Sequence, residues 1–144
     1  MIDPGSRNDA SDLRRAVSQL QRSFRALRDP DGPTSAQLSA LGALYRHGPM
    51  ATGELAARER LKPQSVTRFV AALQQAKLIE RVPDPGDARR IVVAITDEGR
   101  RTLGQVMRRR DERLARKIAR LSPADRASVR AATALLEWLA SDAD

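Results

Sequence analysis

The stretch Asp84-Pro85-Gly86-Asp87-Ala88-Arg89-Arg90 separates two short extended runs, Leu78 to Val82 and Ile91 to Ile95. Proline fixes φ and glycine tolerates positive φ, so Asp84-Pro85-Gly86 predicts a tight type II turn that projects Arg89 and Arg90 outward. After the turn, Ile91, Val93 and Ile95 alternate with Val92 and Ala94, the period of a half-buried strand. The result is an arginine-tipped hairpin, a shape suited to a narrow DNA minor groove, where negative potential is enhanced and no base-specific donor pattern is needed. Asp87 is expected to pair with or orient an arginine, Arg89 in particular, and so hold the guanidinium in place before binding.

Outward from the hairpin the chain reads as helix. Leu13, Val17, Leu20, Phe24 and Leu27 recur at steps of four and three along one face, and Asp29-Pro-Asp-Gly-Pro33 ends that first helix. Thr34 and Gln37 are spaced as a capping box, opening a second helix with Leu38, Leu41 and Leu44 inward; Gly48-Pro49 closes it. Thr52 is expected to cap a short segment with Glu54 in its first turn and Leu55 and Ala56 buried. Leu61-Lys62-Pro63 interrupts it, and proline suits the first position of the next helix, whose buried stripe is Val66, Phe69, Val70 and Leu73. Two short helices split by a tight turn and followed by a hairpin make a winged helix-turn-helix. Beyond the hairpin, Thr96-Asp97-Glu98 opens a long helix, and Ser122-Pro-Ala-Asp125 caps a last one carrying Val129, Ala132, Leu136 and Leu139.

A wheel of 100° per residue tests the helix that starts at Pro63. With Val66 inward, the opposite side carries Gln64, Arg68, Ala71 and Gln75, with Ser65 and Thr67 on the flanks and Lys62 at the entrance. Glutamine pairs with adenine, arginine with guanine, the threonine methyl touches thymine, and alanine permits close approach to the groove. A solvated amphipathic helix would also be polar on its outer face; the position before a wing favours the recognition helix.

The formal charge is +8 and the cations are nearly all arginine, with Lys62, Lys77 and Lys117 the exceptions. A basic balance favours a polyanionic partner, although codon bias also enriches arginine. With no cysteine, disulfides, thiol redox sensing and thiolate metal sites are excluded. No apolar run approaches the roughly 20 residues needed to cross a bilayer, and no secretory signal opens the chain, so a cytoplasmic protein with no membrane partner is expected. His47 stands alone at a helix end. Glu54, Glu59, Glu80, Asp84 and Asp87 form no spaced pair with a base or nucleophile, so neither a metal, a cofactor nor an enzymatic reaction is assigned. Arg108-Arg109-Arg110 reads as a solvated face balanced by Asp111 and Glu112.

From Leu38 to Gly99 these residues resemble the MarR/SlyA group of bacterial winged-helix regulators. The likeness lies in Lys77-Leu-Ile-Glu-Arg81 at the exit of the recognition helix, Asp87-Ala-Arg89 in the wing and Ile95-Thr-Asp-Glu-Gly99 at its close. Two positions depart from the pattern. Lys77 replaces a usual glycine, so a different helix ending is expected there, and Lys62 replaces a common capping serine and brings a cation toward phosphates.

The resemblance implies a mainly α fold with a small β-hairpin wing and N- and C-terminal dimerisation helices. Residues 1–9 are then a disordered lead and 10–144 a single domain, with a DNA-binding lobe at 34–96 and dimerisation helices at 10–28 and 97–141. The apolar stripes of the outer helices independently leave more surface than a lone winged helix would cover. The implied function is sequence-specific DNA binding by Lys62, Gln64, Ser65, Thr67, Arg68, Asp87, Arg89 and Arg90. A homodimer would set two recognition helices ~34 Å apart on a pseudo-palindromic operator in double-stranded DNA. Relatives of this kind commonly repress a promoter until a small aromatic or lipophilic effector binds. Phe24, Leu38 and Tyr45 are the candidates to line such a site, with core packing as their other role. The alternatives are a winged-helix module that binds proteins without specific DNA readout, and one that binds RNA or structured nucleic acid.

Overall fold

The computed structural model describes residues 3–27 and 30–141, and of Pro63 and Gln64 only the backbone. The chain divides into two compact units, Met1–Met107 and Arg108–Asp144. In order, the elements are α1 (Pro4–Arg25), α2 (Ser35–His47), α3 (Thr52–Arg58), α4 (Pro63–Gln75), β1 (Ile79–Pro83), β2 (Ile91–Ile95), α5 (Asp97–Ile118) and α6 (Pro123–Ala140).

The helix starts follow local chemistry. The Gln37 amide donates to Thr34 Oγ1 at 3.2 Å while the Thr34 amide donates to Gln37 Oε1 at 2.8 Å, the reciprocal capping box anticipated from spacing. α2 stops at Gly48, whose φ of 81° suits glycine. Asp125 donates its amide to Ser122 Oγ at 3.1 Å, and the last helix begins there as expected. Two expectations shift. α1 begins at Pro4 rather than after residue 9, because Asp3 is an N-cap that accepts the Ser6 amide at 3.0 Å and is followed at once by proline. Ser6 also holds the exposed Asp3 carboxyl below its ordinary pKa by hydrogen bonding to it. Thr52 is not a cap. It is the first residue of α3, Ala51 holds the cap position without a side-chain hydrogen bond, and α3 draws its local support from the Glu54–Arg58 pair at 3.2 Å. The break at Asp29 lies outside the described residues.

The core of the first unit is built from Leu38, Leu41 and Leu44 of α2, Leu55 of α3, Val70 and Leu73 of α4, Leu78, Ile79, Val93, Ile95 and Leu103. Every predicted inward residue of α4 is buried or half-buried: Val66 and Phe69 pack on this core and Val70 and Leu73 belong to it. β1 and β2 pair antiparallel with Ile79 opposite Ile95 and Pro83 opposite Ile91. Strict alternation does not hold on β2, where Ile91 is exposed and Val92 and Val93 are both buried. β2 is flanked on both edges: Met50 donates its amide to Val93 O at 3.1 Å and accepts the Val93 amide at 2.9 Å. Val92 and Val93 point to opposite faces of β2, so both faces of the strand are covered at its centre.

One corner joins α4, the sheet and α5. Thr96 donates its amide to Leu78 O at 3.1 Å and its hydroxyl to Lys77 O at 2.6 Å, and its Oγ1 accepts the Gly99 amide at 2.9 Å. The first turn of α5 therefore lies directly on the chain leaving α4. A Cβ at residue 99 would stand 2.2 Å from Leu78 O and 2.8 Å from Ile95 Cγ1, so the spacing Thr96-x-x-Gly99 meets a steric demand. In the second unit, α6 buries none of its residues; Leu135 is 63% exposed and Trp138 67%.

Adding one methyl group against a backbone carbonyl forces movement of packed elements, a change that costs about 2–3 kcal/mol in tight cores. Gly99→Ala is expected to lower the unfolding free energy by that amount, read as a lower urea midpoint with the slope of the transition unchanged.

Candidate nucleic-acid interface

Nothing acidic lies on α4, and its outer face is polar. Ser65, Thr67, Arg68, Ala71 and Gln75 are exposed, as is Lys62 at the N-cap. Lys62 supplies no side-chain hydrogen bond to the helix start, where Pro63 has no amide hydrogen and the Ser65 amide donates to Lys62 O at 2.8 Å. Among the described residues, Lys62, Arg68 and Arg89 take part in no ion pair. The side chain of Gln64, the remaining sequence candidate on this helix, lies outside the described residues.

The wing is held differently from the sequence expectation. Asp87 donates its amide to Asp84 O at 3.2 Å, and Arg90 donates its amide to Asp87 O at 2.9 Å, which makes two consecutive turns. Gly48 is the one described glycine with positive φ, so the turn at Pro85-Gly86 is not type II. Each aspartate carboxylate instead accepts an amide two residues on, Asp84 from Gly86 at 2.8 Å and Asp87 from Arg89 at 3.0 Å. These side-chain turns replace the glycine geometry. Asp87 thus orients the backbone of Arg89 and not its guanidinium. The paired guanidinium is that of Arg90, whose Nη1 lies 3.9 Å from Asp84 Oδ2. Sequence reasoning missed this role of Asp84, although the spacing of two aspartates, each two residues before an amide it can cap, was visible. Asp84, Asp87, Arg89 and Arg90 all lie within the segment that closes when Asp84 donates its amide to Arg90 O at 2.8 Å. On the strand before the wing, Arg81 Nε donates to Gln74 Oε1 at 3.4 Å and ties β1 to the last turn of α4.

The three residues considered for an effector differ in exposure. Leu38 is 5% exposed and part of the core, Phe24 is half-buried on α1, and Tyr45 is 60% exposed with the Arg100 guanidinium 5.9 Å above its ring. A concavity of about 420 Å³ in the first unit is lined by Pro33, Gln37, Ala76, Leu78, Glu98 and Thr102 among others, and none of the three borders it. His47 is an exposed residue at the end of α2. Among the described residues no group of His, Asp and Glu is placed to hold a metal ion, and no helix is long and apolar enough to cross a membrane.

Residues 34–91 match the model of the MarR family. Over 137 residues the chain is 39% identical to an uncharacterized HTH-type transcriptional regulator of Mycobacterium bovis, covering 94% of each. The chain belongs to the MarR family. It is 32% identical over 110 residues to the HTH-type transcriptional repressor MdtR of Bacillus subtilis, covering 76% of this chain and 71% of that one. A crystal structure of a Pseudomonas aeruginosa protein superposes with a TM-score of 0.83 at 35% identity, over 97% of this chain and 99% of the other. This MarR protein is a DNA-binding transcriptional regulator and not an enzyme, with a winged-helix fold.

The MarR pattern has a glycine where Lys77 stands, and the structure keeps the glycine geometry. Lys77 has φ 57°; its amide donates to Gln74 O at 2.9 Å and the Leu78 amide to Leu73 O at 3.0 Å. That is a Schellman ending, with Leu73 and Leu78 both buried as its apolar clasp. The expected alternative helix ending is therefore absent. α3 ends the same way, with Arg60 at φ 51° and the Leu61 amide donating to Ala56 O at 2.9 Å. Both corners that set the direction of α4 thus hold a long cationic side chain in a left-handed backbone, each at a cost of about 1 kcal/mol relative to glycine. Lys77→Gly is expected to raise the unfolding free energy by roughly that amount, read as a rise in melting temperature.

Proposed function

We propose that this MarR protein is a homodimeric, sequence-specific repressor that grips duplex DNA at two kinds of point, α4 in the major groove and the wing in the minor groove. The observation that carries this reading is the exposed, acid-free outer face of α4, with Lys62 and Arg68, next to a hydrogen-bonded wing that carries Arg89 in the open. None of these three cations has an ion-pair partner among the described residues. A side chain that gives up no intramolecular partner loses little on meeting a phosphate or a base edge. Arg68, Ser65 and Thr67 face bases, Lys62 faces a phosphate, and Arg89 enters the minor groove on a turn already closed.

Dimerisation follows from surface that one chain leaves uncovered. α1 and α6 each bury no residue, yet Leu13, Val17 and Leu20 line the first and Val129, Leu136 and Leu139 the second. Apolar stripes of this length are covered in solution by a second copy, whose two-fold symmetry presents a second α4 to the other half of a pseudo-palindrome. A small aromatic or lipophilic effector would release the DNA by binding more tightly to the dimer spacing that misfits two successive major grooves. The regulator acts in the cytoplasm, where its promoter DNA is.

Fluorescence anisotropy on a duplex from the region upstream of its own gene, at several salt concentrations, tests the DNA reading. Wild-type binding should weaken linearly in log–log form with salt, and Arg89→Ala should raise Kd at least tenfold and reduce the slope by about 0.9, the value for one lost phosphate contact. Binding without a salt slope, or an Arg89→Ala protein that binds like wild type, contradicts it. Sedimentation velocity tests the dimer: Leu136→Glu should convert a dimer to a folded monomer that no longer binds the duplex with dimeric affinity. A wild-type monomer would contradict the dimer.

A further inference from the structure

We infer that Asp84 is a positioning residue for DNA binding, which closes the wing so that Arg89 is presented at its tip while Arg90 is held back. The inference rests on the reading of the wing as a minor-groove arm and assigns that arm its organiser. Four contacts converge on Asp84. Its amide donates to Arg90 O at 2.8 Å, its carbonyl accepts the Asp87 amide at 3.2 Å, its Oδ1 accepts the Gly86 amide at 2.8 Å, and its Oδ2 lies 3.9 Å from Arg90 Nη1. Two of these are made by its carboxylate, whereas the Asp87 carboxylate makes one, accepting the Arg89 amide at 3.0 Å. The Asp84 side chain is sheltered at 22% exposure, where the Arg90 side chain stands at 63%. A carboxylate so placed clamps both ends of the loop, and it does so from inside.

The consequence is a division of labour between neighbouring arginines. Arg90 is drawn toward Asp84 and partly neutralised, while the guanidinium of Arg89 has no partner among the described residues. Asp84 also creates an electrostatic conflict that makes its role testable. A negative charge close to a bound polyanion repels it, so deleting that charge tightens binding if Asp84 does nothing else. If Asp84 positions Arg89, deletion weakens binding in spite of the gain in positive charge. The two accounts predict opposite signs.

The test is the affinity of the full-length protein for duplex DNA from the region upstream of its own gene. It compares wild type, Asp84→Ala, Asp84→Asn, Arg89→Ala and the Asp84→Ala/Arg89→Ala pair. Asp84→Ala is expected to raise Kd at least tenfold. Asp84→Asn, whose amide oxygen still accepts the Gly86 amide, should stay within about threefold of wild type, and this rescue separates positioning from charge. With Arg89 already removed, Asp84→Ala should add no further loss, because its effect runs through that side chain. An Asp84→Ala protein that binds as tightly as wild type, or more tightly, while Arg89→Ala binds weakly, overturns the positioning role and leaves the wing reading intact. The same holds if Asp84→Ala costs an equal factor in the Arg89→Ala background. An Arg89→Ala protein that binds like wild type overturns the minor-groove reading itself.

Discussion

The close approach of α5 to the chain leaving α4 is the constraint on which the rest of the winged helix depends. Gly99 meets Leu78 O where a Cβ would stand 2.2 Å away, and Thr96 bonds to both Lys77 O and Leu78 O. Those contacts fix where α4 ends, where β1 begins and where β2 turns into α5. Three elements meeting at one backbone corner leave little freedom between α4 and the wing. Under the proposed two-groove grip, having that relation set before DNA is met is a gain, because ordering during binding would subtract from affinity.

Much of this was legible from residue order, and the reasons are local. Helix starts were readable at Thr34, Thr96 and Ser122 because capping depends on side chains three residues apart. The buried stripe of α4 was readable because packing repeats with helical period. What escaped depended on context rather than on propensity. Lys77 and Arg60 adopt left-handed backbone where the Leu78 amide bonds Leu73 O and the Leu61 amide bonds Ala56 O, the first pair buried and the second partly so, a gain that propensity at a single residue does not report. Val92 escaped the alternation rule because β2 is covered on both faces at its centre, and alternation marks only a strand with one solvated face. Thr52 met the composition of a cap, and Ala51 took the position instead.

The candidate site shows the same division. The outer face of α4 was predicted from its wheel, since exposure there follows from periodicity. The wing was predicted as an arginine-tipped loop, yet the partner of each arginine was not. Asp87 was assigned to the Arg89 guanidinium and bonds its amide, while Asp84 takes the guanidinium of Arg90. Two aspartates three residues apart in a tight loop have several ways to satisfy nearby donors, and backbone geometry chooses among them.

The two-groove grip is the central functional claim, and hydroxyl-radical cleavage of the bound upstream duplex, combined with methylation interference at guanine N7, reads both grooves at once. The account predicts interference in two major-groove segments about one helical turn, ~34 Å, apart, with minor-groove protection on the outer flank of each, where the wings reach. Interference without flanking minor-groove protection, or protection without any major-groove register, would contradict it.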